Sequence, residues 1–272
     1  MRQASLRGAG ARVAVAAALL VVLSPTAHAE GLEAIQQILG DTDSSPVPRG
    51  WSLGAAAYAG SSPYSAGDTS KLVIPGGIYV GDQVMYLGDR IFYTPADQGP
   101  VKFYGRLRFR LGNLDPADSP EWTGLTHRKG QLEAGLGAVI LSPVGLWTAR
   151  FSTDISGRSN GTELLFNWSA PIIGDRWMVM PSVGAMLRGR KMANYYFGGV
   201  SQAEAAPGRP AYDVGNAWSL IPNLVASYRI DRRWLVGAVL GYEKFSSAIS
   251  DSPLIQKSGR YDVLVGLGYV WR

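Results

Sequence analysis

The chain of 272 residues has no cysteine, only two histidines, and a charged fraction of 17%. Without thiols there can be no disulfide framework, iron–sulfur site, cysteine-ligated zinc or thiol nucleophile. Two histidines leave little for a His-rich metal centre. The charged fraction falls below the roughly 25% of soluble domains. Long apolar runs are equally scarce: beyond the first residues no stretch approaches the 18 or more expected of a transmembrane helix. What the chain does have is glycine, tryptophan and tyrosine, with 34, 8 and 13 copies.

Residues 1–29 read as an address. Arg2, Arg7 and Arg12 form a basic start without acids, Val13–Leu23 is an unbroken apolar run, and Ala27-His28-Ala29 offers a small-x-small cleavage pattern before Glu30. The apolar run is too short to span a bilayer, which needs about 20 residues. Removing this segment takes away three arginines and no acid, so the formal charge falls from +5 to +2. His127 is then the only histidine. The basic character thus belongs largely to the leader, and a nucleic-acid partner is not expected.

The remainder alternates with period two. In Val101–Leu111, Val101, Phe103, Leu107, Phe109 and Leu111 share one face, opposite Lys102, Tyr104, Arg106, Arg108 and Arg110. The C-terminal segment places Tyr261, Val263, Val265, Leu267, Tyr269 and Trp271 opposite Asp262, Gly266 and Gly268. A soluble β-sandwich would bury the apolar face, whereas a membrane barrel turns it to lipid and the polar face to the lumen. Aromatic residues near segment ends, Trp147, Trp168, Trp177, Trp218 and Trp234 among them, favour the barrel, whose interfaces carry aromatic girdles.

Short links at Ser142–Gly145, Ile172–Asp175 and Asp231–Arg233 alternate with long ones at Gly112–Gly130, Gly189–Asn216 and Ser246–Gly259. This is the alternation of periplasmic turns and extracellular loops. The expected fold is all-β, a transmembrane antiparallel up-and-down β-barrel of about twelve strands. Its segments fall near 51–58, 72–80, 83–88, 90–94, 101–111, 131–141, 146–155, 162–170, 176–188, 217–230, 234–245 and 260–271. Ten strands is the alternative if Gln83–Thr94 lies off the wall. Three stretches are expected: a cleaved signal over 1–29, a periplasmic N-terminal segment and linker over 30–50, and the barrel over 51–272. Leu32, Ile35 and Leu39 would fit a short amphipathic helix in the second, or a loosely ordered tail.

Three further segments resemble a known family. Trp51-Ser52-Leu53-Gly54 is similar to the opening of the mature barrel in the MltA-interacting protein family of outer-membrane proteins (MipA/OmpV). Asn194-Tyr195-Tyr196-Phe197-Gly198-Gly199-Val200, followed by Glu204-Ala205, resembles its tyrosine-rich loop, and Ile249-Ser250-Asp251-Ser252-Pro253 its late loop. The likeness runs from about residue 50 to the C-terminus. One departure is the end of the chain, where Trp271 is penultimate and Arg272 last. The resemblance implies a barrel in the outer membrane of a Gram-negative bacterium without known enzymatic activity. It also implies a scaffold that brings a lytic transglycosylase to a penicillin-binding protein, in contact with outer-membrane lipid. Some relatives are linked to adhesion and to antibiotic susceptibility.

The candidate lumen-lining residues are Lys102, Arg106, Arg108 and Arg110, with Glu133, Arg150, Asp154, Glu163, Glu243 and Asp262. They support two readings: a cationic lumen for a small-solute channel or receptor-like barrel, or a salt-bridged, largely filled interior. The near balance of acids and bases favours the second. His127, with Asp118 and Glu121 nearby, could serve as a general base, but no Gly-x-Ser-x-Gly elbow accompanies it and an exposed loop histidine explains it as well. The pairs Gly135/Gly137 and Gly266/Gly268 fit no dinucleotide or phosphate loop and read as relief from crowding inside a narrow barrel. Tyr195–Phe197 is best read as part of a long loop packed over the barrel mouth. No catalytic, cofactor or metal site is expected.

Overall fold

The computed structural model describes residues 47–271 except 66, 68 and 96–98; the expected export signal and the segment to residue 46 lie outside the described residues. Thirteen strands form in sequence: β1 (Gly50–Gly60), β2 (Ser70–Val80), β3 (Val84–Tyr86), β4 (Arg90–Tyr93), β5 (Val101–Arg110), β6 (Gln131–Ser142) and β7 (Gly145–Asp154) come first. β8 (Thr162–Ser169), β9 (Ile172–Ile173), β10 (Trp177–Arg188), β11 (Ala217–Arg229), β12 (Trp234–Phe245) and β13 (Gly259–Trp271) follow. β9 pairs only with the start of β10, as an extension of the turn. The other twelve close into one antiparallel barrel, each hydrogen-bonded to the next, with β8 joined to β10 and β13 to β1. The seam register sets Trp51 against Trp271 and Gly60 against Asp262.

Both described ends and the short turns lie at one rim, the long loops at the other, which assigns the first to the periplasm and the second to the exterior. The segment Gln83–Thr94 belongs to the wall. β3 pairs with β2 through Tyr79↔Tyr86, and β4 with β5 through Arg90↔Arg108, so the ten-strand alternative fails. The last residues of the expected linker are also packed. Val47 is buried with Val80, Met85 and Phe92, and Arg49 pairs with Asp82.

The alternation sets the faces as a membrane requires. Phe103, Leu107 and Phe109 are 61%, 46% and 40% exposed, while Arg106, Arg108 and Arg110 between them are at most 5% exposed. A soluble sandwich would reverse this. Trp51, Trp147, Trp168, Trp177, Trp234 and Trp271 fall at the periplasmic ends of their strands, as an interfacial girdle. Several contact a neighbour: Trp147 lies 6.4 Å from Trp168 and Trp234 lies 5.3 Å from Tyr269, centroid to centroid.

Candidate functional site: an ion-pair belt under a loop cap

The interior has three layers. Nearest the periplasm is an apolar layer containing Met85, Tyr104, Val139, Met178 and Met180. Above it lies a belt of charges, and above that an apolar cap made by the long loops.

The belt is a chain of alternating charge running from strand to strand. Arg110 donates to Glu133 at 2.5 Å and to Glu163 at 2.5 Å. Glu163 also accepts from Arg188 at 3.0 Å, and Arg188 reaches Glu243 at 2.5 Å. Glu243 is completely buried and also accepts from Arg260, at 2.8 Å. Three acids therefore face three arginines contributed by six strands. A second cluster forms at the tip of the β3–β4 hairpin, where Asp89 pairs with Arg90 at 2.7 Å and Arg108 at 3.2 Å. Arg106 stands 3.8 Å from Glu133, between the two groups. Charges this far from water persist only when paired and hydrogen-bonded.

Of the ten residues singled out from the sequence, nine are buried and Lys102 is half-buried. Arg106, Arg108, Arg110, Glu133, Glu163 and Glu243 come together in the belt and the cluster beside it. Asp154 does something else. Its carboxylate accepts the N–H groups of Ser156, Ser159 and Asn160 at 2.8, 2.8 and 2.9 Å, and so organises the loop that follows β7. Arg150 and Asp262 are buried on β7 and β13. Four partners escaped the sequence reading: Asp89, Arg90, Arg188 and Arg260. Arg260 has the same parity as Asp262, and Arg188 the same as Ser182, so strict counting along each strand would have found both. Asp89 sits in a hairpin turn, where alternation gives no guide.

The cap is built from the loops after β1, β5, β10 and β12. Helix α1 (Arg190–Tyr196) buries Met192, Ala193 and Tyr196, and the short α2 (Ser247–Ser250) buries Ile249. The Tyr64 hydroxyl donates to the Tyr196 carbonyl at 2.7 Å, and the Ser252 hydroxyl to the Gly198 carbonyl at 2.5 Å. Gly198 has φ +99°, a conformation that favours glycine. Cap and belt meet through cation–π contacts: the Arg188 guanidinium lies 3.9 Å from the Phe197 ring centroid, and that of Arg110 lies 5.4 Å from Tyr196. Burial pushes the Tyr64 phenol up to about 12, although nearby Arg128 and Arg260 oppose the shift. Burial likewise favours the neutral form of Glu204. Donation from the Ser201 and Thr126 N–H groups and the Ser201 hydroxyl outweighs it and holds the carboxyl at about 2. The same carboxylate pairs with Arg128 at 2.9 Å.

His127 lies on this cap, half-exposed, with Nδ1 3.4 Å from an Asp115 oxygen. Among the described residues no three His, Asp or Glu side chains are placed to hold a metal ion.

The model of the MltA-interacting protein MipA family matches residues 53–272. The chain belongs to this family. An MltA-interacting protein of Escherichia coli strain K12 is 25% identical over 224 residues, covering 80% of this chain and 89% of that one. Outer membrane protein Omp26La of Vibrio anguillarum is 27% identical over 146 residues, covering 54% and 56%. Among solved structures, a loop-deletion mutant of OmpT, an outer membrane protein of Vibrio cholerae, covers 81% of this chain at 7% identity with a TM-score of 0.38. Family membership and the closed antiparallel sheet together make the protein an outer-membrane barrel. Within this MipA-family chain, the two loop segments that resembled the family from sequence are neighbours in the cap. Tyr196–Gly199 and Ile249–Ser252 pack together, and Glu204 closes a capping box with Ser201. Tyr195–Phe197 thus covers the barrel mouth.

Proposed function

We propose that this MipA-family protein is a non-enzymatic outer-membrane scaffold in cell-wall remodelling, one that holds a lytic transglycosylase at its periplasmic rim beside a penicillin-binding protein. The observation that carries this reading is the condition of the interior. The belt charges are committed to one another, and an apolar cap covers them, which supports work at a surface over work in a pore. The periplasmic rim is accessible by contrast. Two adjacent turns are joined where the Arg229 N–H donates to the Arg176 carbonyl at 2.7 Å, and they expose Arg176, Arg232 and Arg233. Asp175 and Asp231 are exposed in the same turns, so the corner carries one net positive charge, and its arginines can pair with acids on a soluble partner domain.

Affinity capture from detergent-solubilised envelope is expected to recover a lytic transglycosylase, with recovery falling in the double variant Arg232→Glu/Arg233→Glu. Recovery of neither enzyme in repeated captures overturns the scaffold reading. Anion-selective conductance in planar bilayers, lost in Arg106→Glu and Arg108→Glu, would replace it with the solute-channel reading.

A further inference from the structure

The barrel wall has one incomplete junction. β2 pairs with β1 along its whole length, from Gly50↔Val80 to Gly60↔Ser70, but meets β3 only at Tyr79 and Val80. β3 and β4 are three and four residues long, so their hairpin ends well below the height to which β2 climbs. Its tip contacts β5 where the Phe109 N–H donates to the Asp89 carbonyl at 2.8 Å. The stretch Ser70–Ile78 therefore has no strand partner on its second side among the described residues. Pro75, which has no N–H to leave unmatched, lies in that stretch. The outward neighbours of this notch are Val73, Ile91 and Leu107, at 72%, 44% and 46% exposure, which places it within the lipid-facing band.

Behind the notch lies an apolar cavity of about 250 Å³. One lip is Ile74 and Ile78 of β2, the other Leu87 and Gly88 of the hairpin tip. Its back wall is bare backbone, because the inward positions there are Gly54, Gly237, Gly266 and Gly268. Met85, Met178, Val225 and Val239 add apolar surface, and Ser52, Ser227, Asp89 and Arg90 also border the cavity. Two of them, Gly237 and Gly268, differ from Gly137, whose missing side chain makes room for the Tyr104 ring. A Cβ on Gly237 would meet its nearest atom at 3.8 Å and one on Gly268 at 3.6 Å, both ordinary contacts. Crowding does not require glycine at either position, and larger residues would stand in the cavity. A dry apolar cavity of about 150 Å³ is enough to take up benzene. This one is larger, and both edges of the lipid-facing notch border it.

We propose that the cavity binds one alkyl chain, that of a single-chain amphiphile dissolved in the outer membrane, which enters between β2 and the β3–β4 tip. The lining has the chemistry of a methylene chain, the notch faces the phase in which such a chain dissolves, and the volume suits one chain in place of two. This site is separate from the periplasmic rim assigned to protein partners, so either assignment can fail without the other.

The test uses the full-length barrel in phospholipid vesicles with a fatty acid carrying a terminal diazirine. Photolysis and peptide mapping are expected to place label on Met85 or Met178, inside the wall, as well as on lipid-facing Leu136. Gly237→Leu and Gly268→Leu should each lower the inner labelling about tenfold, by displacing methylene-sized volume, and leave Leu136 labelling unchanged. Assembly of each variant is checked by resistance to unfolding in cold detergent. If neither assembles, the labelling pattern of the unaltered protein decides alone. The same diazirine on a phospholipid acyl chain should label only outward positions. Label confined to outward positions with the fatty acid overturns the proposal. So does inner labelling by the phospholipid equal to that by the fatty acid, or inner labelling that survives in assembled variants.

Discussion

The outer and inner halves of the lumen are built on the same strands with the same alternation, yet they solve opposite problems. In the outer half the inward positions carry Arg110, Glu133, Glu163, Arg188, Glu243 and Arg260, and each charge has a partner on another strand. In the inner half the same faces carry Gly237, Gly268, Met178 and Val239, and space is left between them. Charges in a low-dielectric interior are tolerated only in mutually satisfied geometry, so they lock the strands that hold them. Apolar side chains impose no such directional demand, and glycines on one wall can leave a void. Alternation decides which face a residue takes. The residue across the lumen decides whether that face is filled.

The most severe way to break the contrast is to remove one acid from the belt. Glu243→Ala leaves Arg188 and Arg260 buried without their shared carboxylate, and a loss of about 3–5 kcal/mol is expected; denaturant unfolding in micelles measures it. A destabilisation under about 1 kcal/mol would show that water already screens the belt. Next comes a charge on the wrong side of the wall. Leu107→Arg should cost roughly 2–4 kcal/mol, depending on its depth in the bilayer, and Arg108→Leu less. Equal effects would mean that the two faces share one environment.

A smaller effect is expected in the cap. The Glu204 carboxyl is held at about 2 in the folded protein, below its ordinary value near 4.5, so its contribution is complete above pH 4.5 and disappears as the pH falls toward 2. Hydrogen exchange of the Ser201 and Thr126 amides should accelerate over that window, and Glu204→Gln should remove the dependence. The smallest effect belongs to the inner half. Gly237→Ala should shift stability by no more than about 0.5 kcal/mol, because the new methyl enters open space. Gly54→Ala should be clearly worse, since its Cβ would collide with the Leu267 carbonyl.

Much of this fold could be read from period and punctuation. The alternation in Val101–Arg110 separates exposed Phe103, Leu107 and Phe109 from buried Arg106, Arg108 and Arg110, and the spacing of turns gave all twelve wall strands, including the brief pair at Val84–Tyr86 and Arg90–Tyr93. Parity cannot choose partners across a lumen, because that depends on strand tilt and register. Arg110 thus reaches Glu163 from a strand three places away in the wall. Asp154 shows the same limit. Its position points inward, but a tight loop with Asn160 at φ +50° turns three N–H groups onto it first. The inward glycines were the least legible. Gly137 yields space to an aromatic ring while Gly268 borders a cavity, and composition alone cannot separate the two.

The seam between β1 and β13 sets an order of events for assembly. It joins Trp51 to Trp271, nearly the two ends of the described chain, so no local hairpin can nucleate it and its closure carries the largest loop entropy in the molecule. Ten of the twelve wall junctions can form before the final strand is in place; those of β13 with β12 and with β1 cannot, and the second of these closes the ring. Until then β1 and β12 present open backbone edges along their whole length, which hydrocarbon accepts only at a cost. The nascent sheet must therefore be kept from lipid, or held open by something that supplies hydrogen bonds to those edges. The thirteen residues of β13 are in this sense a condition for the membrane residence of the eleven of β1.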